Sequence, residues 1–240
     1  MARVTKRQKA AREQVQLGVK YPLAEGVGLA KACATARFDE SIDIAVRLGV
    51  NPRQADQMVR GAISLPHGTG KSVRVIVFAE GDAAKAAEEA GADVVGGVEL
   101  INRVKDGWVD FDKAIAVRAM MAKGVGRLGP VLGPRGLMPN PKTRTVVANE
   151  EVAEAVREVK GGRIDFRVEK AGIVHTPVGK ASMEEEKLRD NVLALVNLLL
   201  RLKPASAKGT YVKSVAISST MGPGIRLDAP EVVKLAGEFR

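Results

Sequence analysis

The chain has 240 residues, 45% hydrophobic and 28% charged, which allows one large or two ordinary domains and excludes wholesale disorder. Its net charge of +10 and pI near 9.8 point to a polyanionic partner, while only 3% aromatics argues against a surface built mainly of stacked rings. Cys33 is the single cysteine, so a disulfide framework and a thiolate metal site are both excluded. The charged start, MARVTKRQKAAREQ, lacks a signal-peptide core, and the most apolar run, Val192 to Leu200, is too short to span a bilayer. A soluble protein in a reducing, cytoplasmic setting is expected.

In chain order, Lys6 to Leu17 reads as a basic amphipathic helix and Pro22 to Ala34 as a second. Ile42, Ile44, Val46 and Leu48 then alternate with Ser41, Asp43, Ala45 and Arg47, the period of a half-buried strand. After the Asn51-Pro52 turn, Gly61 to Leu65 reads as its partner strand. Pro66-His67-Gly68-Thr69-Gly70 punctuates the chain strongly. Beyond it, strands at Val73 to Phe78, Val94-Val95 and Ala114 to Val117 alternate with helices at Asp82 to Ala90 and Glu99 to Lys105. That order predicts a small parallel sheet with crossovers.

The stretch from Gly124 to Thr145 follows, with prolines at 130, 134, 139 and 141 that forbid one continuous helix. Arg127, Arg135, Lys142 and Arg144 add positive charge to it. A helix from Glu150 to Lys160 comes next, with Asn149 as its N-cap. Gly161-Gly162 is the second punctuation. Arg163 to Val168 and Ile173 to Val178 read as strands joined by a turn at Lys170 to Gly172. Ser182 and Glu185 form a capping box that opens a helix through Leu202. Val212 to Ser218 is the last strand, before a terminal helix from Pro230. The middle segment thus reads as an insertion, with the chain crossings at Gly68 and Gly161 as a hinge.

Three enzyme-like signals fail on context. Gly70-Lys71-Ser72 ends like a phosphate-binding loop, but Leu65 stands where the opening glycine belongs and a strand follows instead of a helix. Gly124, Gly126 and Gly129 spell a dinucleotide fingerprint that Pro130 and Pro134 interrupt. Glu184 to Glu186 suit the first turn of a helix, and His67 and His175 have no ligand spacing around them. No metal, cofactor or catalytic residue is predicted. Nucleic-acid signals fit better. Arg37-Phe38 sets a cation beside an aromatic just before a strand, although Phe38 could equally plug the core. Ser219, Thr220, Met221, Gly222 and Gly224 form a loop of hydroxyls and glycines able to lie against the shallow minor groove of RNA, or to be an ordinary polar turn.

LGPVLGPRGLMPNPKT closely resembles the signature of the ribosomal protein L1 family, the lateral-stalk proteins of the large subunit. RFDESIDIAVRLGVNPRQADQMVRGAISLPHGTGK, GRIDFRVEKAGIVHTPVGK and SSTMGPGIRLD resemble further family blocks, in order. The resemblance implies an α/β protein of bacterial type. Its α+β first domain would be built from both chain ends, 1–68 plus 160–240, with a Rossmann-like α/β domain, 69–159, inserted. It implies a main RNA site at Phe38, Ser41, Thr220, Met221 and Gly222. Arg37, Arg167 and Lys170 would contact phosphates, and Arg127, Arg135 and Lys142 would add weaker contacts. The implied partners are 23S rRNA, the E-site tRNA whose release the family assists, and the mRNA of its own operon, bound by a chain that is monomeric when free. A generic basic RNA-coating protein and a nucleotide-dependent enzyme are the alternatives. The chain departs from the family pattern at Val117-Arg118-Ala119, where Thr-Pro-Asp is usual. It departs again at Pro130, usually basic, and at Arg144, usually glycine.

Overall fold

The computed structural model describes residues 6–16 and 18–239, the side chains at 55 and 142 excepted. The chain first forms helices α1 (Lys6–Glu13) and α2 (Leu23–Ala32) and strands β1 (Ser41–Leu48) and β2 (Arg60–Ser64). There follow β3 (Val75–Phe78), α3 (Asp82–Glu89), β4 (Val94–Gly96), α4 (Val98–Lys105), β5 (Lys113–Val117), α5 (Arg118–Lys123) and α6 (Gly129–Leu132). Next come β6 (Val146–Val147), α7 (Val152–Lys160), β7 (Arg163–Arg167) and β8 (Ile173–Lys180). The chain ends with α8 (Glu185–Arg201), β9 (Val212–Ser219), β10 (Ile225–Leu227) and α9 (Ala229–Glu238). This is a mixed α/β fold in two compact units. One takes the chain up to Lys71 and again from Ile164, and the other is Ser72–Arg163.

The two-piece unit is organised on β1, the second-from-edge strand of an antiparallel sheet ordered β10-β9-β1-β8. The period-two pattern of β1 buries Ile42, Ile44, Val46 and Leu48, while Ser41, Asp43, Ala45 and Arg47 look to the other face. Leu23 and Val27 of α2, Leu188, Val192, Leu195 and Leu199 of α8, and Val232 of α9 join the buried side of the sheet in one apolar core. Each such leucine or valine contributes about 1.5–3 kcal/mol by leaving water.

Both edges of β1 are therefore taken, by β8 and β9, and β2 is not its partner. β2 pairs instead with β7 in a separate two-stranded sheet, so β7 and β8, though consecutive, lie in different sheets. The other differences are local. α1 ends at Glu13, and the predicted extension to Leu17 reaches outside the described residues. Ser182 does not cap α8, because its amide and hydroxyl both donate to the Asp39 carboxylate, at 3.1 and 2.9 Å. Asn149 is not an N-cap either: it lies in a 3-10 turn, Asn149–Glu151, in which the Glu151 carboxylate accepts the Ala148 N–H at 3.2 Å.

In the Ser72–Arg163 unit all strand pairs are parallel, in the order β4-β3-β5-β6. β3 is buried throughout, as a strand covered on both faces must be. The glycine- and proline-rich stretch is broken into short turns, α5, a 3-10 turn at Val125–Leu128, and the single turn of α6. Val125, Leu128 and Leu132 recur at helical spacing and are buried in the core of this unit, so the stretch is anchored there and is no free linker. Among the described residues no helix is long and apolar enough to cross a membrane.

Asn191 is the one uncharged amide fully buried in α8. Its Nδ2 donates to the Val178 carbonyl at 2.8 Å and the Gly68 carbonyl at 2.9 Å, and its Oδ1 accepts the His67 N–H at 3.2 Å. Asn191→Leu keeps the volume but strands these backbone groups. Chemical denaturation should show a loss of about 2–4 kcal/mol. An unchanged midpoint would show that this amide holds nothing.

Candidate nucleic-acid interface

At the start of β1, two loops meet on a buried carboxylate. Glu40 is 1% exposed, and its two oxygens accept the Ala36 N–H at 2.7 Å and the Met221 N–H at 2.9 Å. One donor belongs to the loop after α2 and the other to the loop between β9 and β10. Burial alone pushes the Glu40 carboxyl up. The two amides, the Ser219 hydroxyl and the charge of Arg7 outweigh it and hold the group below its ordinary value of 4.5. A second tie runs between the same loops, because Ser41 N–H donates to Thr220 Oγ1 and Thr220 N–H to the Ser41 carbonyl, each at 3.0 Å. Lys180 Nζ closes the group, donating to Ser41 Oγ at 3.0 Å and the Asp39 carbonyl at 3.2 Å.

What these ties present outward is apolar. Phe38 is 56% exposed and Met221 44%, two of the few large apolar side chains in water among the described residues. Phe38 does not plug the core. Between them the surface is nearly flat, because Gly222 lets the backbone lie on Ser219: a Cβ there would sit 2.3 Å from Ser219 Oγ. Gly224 has open space around its Cα. Ser219 itself is buried beneath the loop. Beside this edge, Asp43 is half-buried on the outward face of β1, and desolvation pushes its carboxyl up although Lys180 and His175 stand near it.

The structure thus brings together Phe38, Ser41, Ser219, Thr220, Met221 and Gly222, with the exposed Arg37 next to Phe38. It does not bring Arg167 and Lys170 to them. Both are exposed where β7 turns towards β8, and there the Gly172 carbonyl accepts the Leu48 N–H at the opposite end of β1, about 20 Å along the strand. Arg127 and Arg135 are exposed in the other unit, and the Lys142 side chain lies outside what is described. Gly68 adopts φ 64°, a left-handed conformation that favours glycine, whereas Gly161 is at −69° and the left-handed residue of that pair is Gly162, at 92°. Sequence reasoning missed Glu40, Asp39 and Lys180. Their one visible signal was two adjacent acids inside an otherwise cationic, aromatic loop.

The crevice where a parallel sheet of this kind usually holds a nucleotide, beyond the carboxyl ends of β3 and β5, is lined differently. Glu80 follows β3 there and is ion-paired with Lys123, and Asp82 opens α3. Carboxylates at that position repel a phosphate. Gly124, Gly126 and Gly129 come after α5 and not directly after a strand. Among the described residues no group of three His, Cys, Asp or Glu is placed to hold a metal.

Against known proteins, the family model described as the ribosomal protein L1p/L10e family matches residues 29–223, most of the chain and every residue of the Phe38–Met221 edge. The chain belongs to the ribosomal protein L1p/L10e family. It is similar to the large ribosomal subunit protein uL1 of Desulfosudis oleivorans, 56% identical over 234 residues that cover 98% of each chain. L1p/L10e proteins are structural ribosomal proteins and not enzymes, which removes the nucleotide-dependent enzyme from consideration.

Since Glu40 is held below its ordinary value, its contribution is complete above about pH 4.5 and is lost as the pH falls through its lowered folded value. The stability difference between wild type and Glu40→Gln should therefore be constant from neutral pH down to about 5 and shrink below 4.5. Denaturation curves at stepped pH measure it. A difference that grows on acidification would reverse the assignment.

Proposed function

We propose that this chain is a constituent of the large ribosomal subunit that binds 23S rRNA at the lateral stalk. The unit built from both chain ends, 1–68 plus 160–240, would be the primary RNA-binding domain. The observation that supports this most directly is the Phe38–Met221 edge. Two large apolar side chains stand in water on either side of a glycine-flattened loop, fixed from behind by a buried carboxylate. RNA offers the matching partner, a shallow minor groove with ribose faces and 2′-hydroxyls that a flat, hydroxyl-bearing edge can approach. Thr220, Ser41 and the backbone at Gly222 and Gly224 supply the polar contacts. Arg37 adds a phosphate contact at this edge, while Arg167 and Lys170 reach a different stretch of backbone at the far end of β1.

The net charge of +10 contributes a salt-dependent, sequence-independent attraction on top of that fit. Arg127, Arg135 and Lys142 add weaker contacts from the inserted unit, with Gly68 and Gly161 marking the hinge between the two. In this reading the protein works on the cytoplasmic ribosome, assists the release of deacylated tRNA from the E site, and represses its own operon through an mRNA site that offers the same RNA shape. It is monomeric when free and needs no cofactor.

The test is equilibrium binding to the stalk fragment of the rRNA and to an unrelated hairpin at several salt concentrations. Met221→Asp should cut the preference for the stalk by about 10- to 100-fold and leave weak, salt-sensitive binding to both RNAs. Equal binding of both RNAs by wild type, with a silent substitution, would mean that the basic surface alone accounts for binding and the chain coats RNA without choosing it.

A further inference from the structure

Within the Ser72–Arg163 unit, between the edge strand β6 and helix α7, lies a cleft of about 340 Å³. Three arginines line it, and they are not equivalent. Arg163 is 9% exposed and committed: its guanidinium pairs with Glu158 and donates to the Thr143 carbonyl at 2.6 Å, which pins the turn before β6 against α7. Arg144 comes next in that turn, at φ 49°, the one non-glycine residue with positive φ among the described residues. Hydrogen bonds hold it there, from its own N–H to the Pro141 carbonyl at 3.1 Å and from Thr145 N–H to the Asn140 carbonyl at 3.2 Å. Glycine takes that conformation freely and arginine takes it only against steric resistance. An outlier kept by so many bonds points to use of the side chain it displays.

Arg118 enters the cleft from the start of α5. Neither it nor Arg144 has a carboxylate or hydrogen-bond partner among the described residues, and both are exposed. Of the three carboxylates on the α7 side, Glu158 is paired with Arg163 and Glu151 accepts the Ala148 N–H. Glu154 alone is uncommitted, so two free cations face one free carboxylate. The floor is apolar, formed by Pro141, Val146 and Val147.

We propose that this cleft binds one nucleotide unit. Its phosphate lies between Arg118 and Arg144, where two guanidiniums can each offer a paired donor fork. Its sugar and base cover the Val146–Val147 floor, and Glu154 accepts a hydrogen bond from a ribose hydroxyl or a base amino group. A mononucleotide fits the volume, at the small end of the usual range for ligand clefts. The site is separate from the Glu80–Lys123 crevice, and it depends on the RNA-binding reading above only for the source of the nucleotide, an RNA strand or a free molecule.

The test uses the full chain carrying Met221→Asp, so that the Phe38–Met221 edge is silent and failure of one site is distinguishable from failure of the other. Uridine monophosphate and a short single-stranded oligouridylate are titrated in low salt while backbone amide NMR shifts are followed. The amides of Val146, Val147 and Ala155 should move. In Arg118→Ala with Arg144→Gly the affinity should fall about tenfold or more. Glycine suits φ 49°, so the thermal midpoint of Arg144→Gly alone should hold or rise. Tighter response per nucleotide to the oligomer assigns the cleft to an RNA strand, and equal response assigns it to free nucleotide. Still amides with both probes, or shifts that survive the double substitution, overturn the proposal.

Discussion

The candidate interface depends on one carboxylate. Glu40 has no charged partner close enough to form a salt bridge, so its negative charge is stabilised chiefly by two backbone amides that come from loops far apart in sequence. A buried acid left without such donors would take up a proton or pull water inward. Satisfying it therefore obliges the Ala36 and Met221 backbones to stand where they do. Phe38 and the Met221 side chain are displayed as a consequence. Exposed apolar groups on loops ordinarily collapse onto the nearest surface. Here the loops are tied from below, and the side chains have no freedom to fold back.

The same logic separates what the sequence made legible from what it did not. The alternation in β1 and the apolar periodicity of α8 could be read directly, because each is a local pattern whose burial repeats with the geometry of its own element. The partners of β1 could not. β2 is nearer in sequence and looks equally strand-like, but β8 and β9 bring longer apolar faces to the same core and occupy both edges. Ser182 and Asn149 carry good capping chemistry and still do not cap. Asp39, from the far side of the unit, claims Ser182, and a 3-10 turn draws Asn149 into itself. Side chains with several possible partners are decided by tertiary structure. Of the interface, Phe38 and the Ser219–Gly224 loop stood out by residue type, while Glu40 passed as one more surface acid.

The inserted unit shows a related effect. Prolines and glycines between Gly124 and Thr145 rule out a long helix, and the chain resolves this with short turns that each drop one apolar residue into the core. Irregular backbone is thereby kept on the surface with its charges outward, while Val125, Leu128 and Leu132 supply the anchorage. The turn at Pro141–Thr143 is fixed differently, by the buried guanidinium of Arg163. A segment that composition alone describes as loose is held at each end by a distinct kind of interaction.

The sheet around β1 also has a consequence in time. Ser41 and Thr220, which bond to one another directly, are separated by 179 positions in the chain. At about 5–20 residues per second, a ribosome making this protein takes roughly 10–35 s to pass from one to the other. Ser72–Arg163, whose strands find all their neighbours within the unit, has every contact it needs well before then. β1 meanwhile waits with both edges unpaired. A nascent chain therefore carries no RNA-competent edge until synthesis is nearly finished, and a truncated product lacking β9 cannot compete with the complete protein for its RNA.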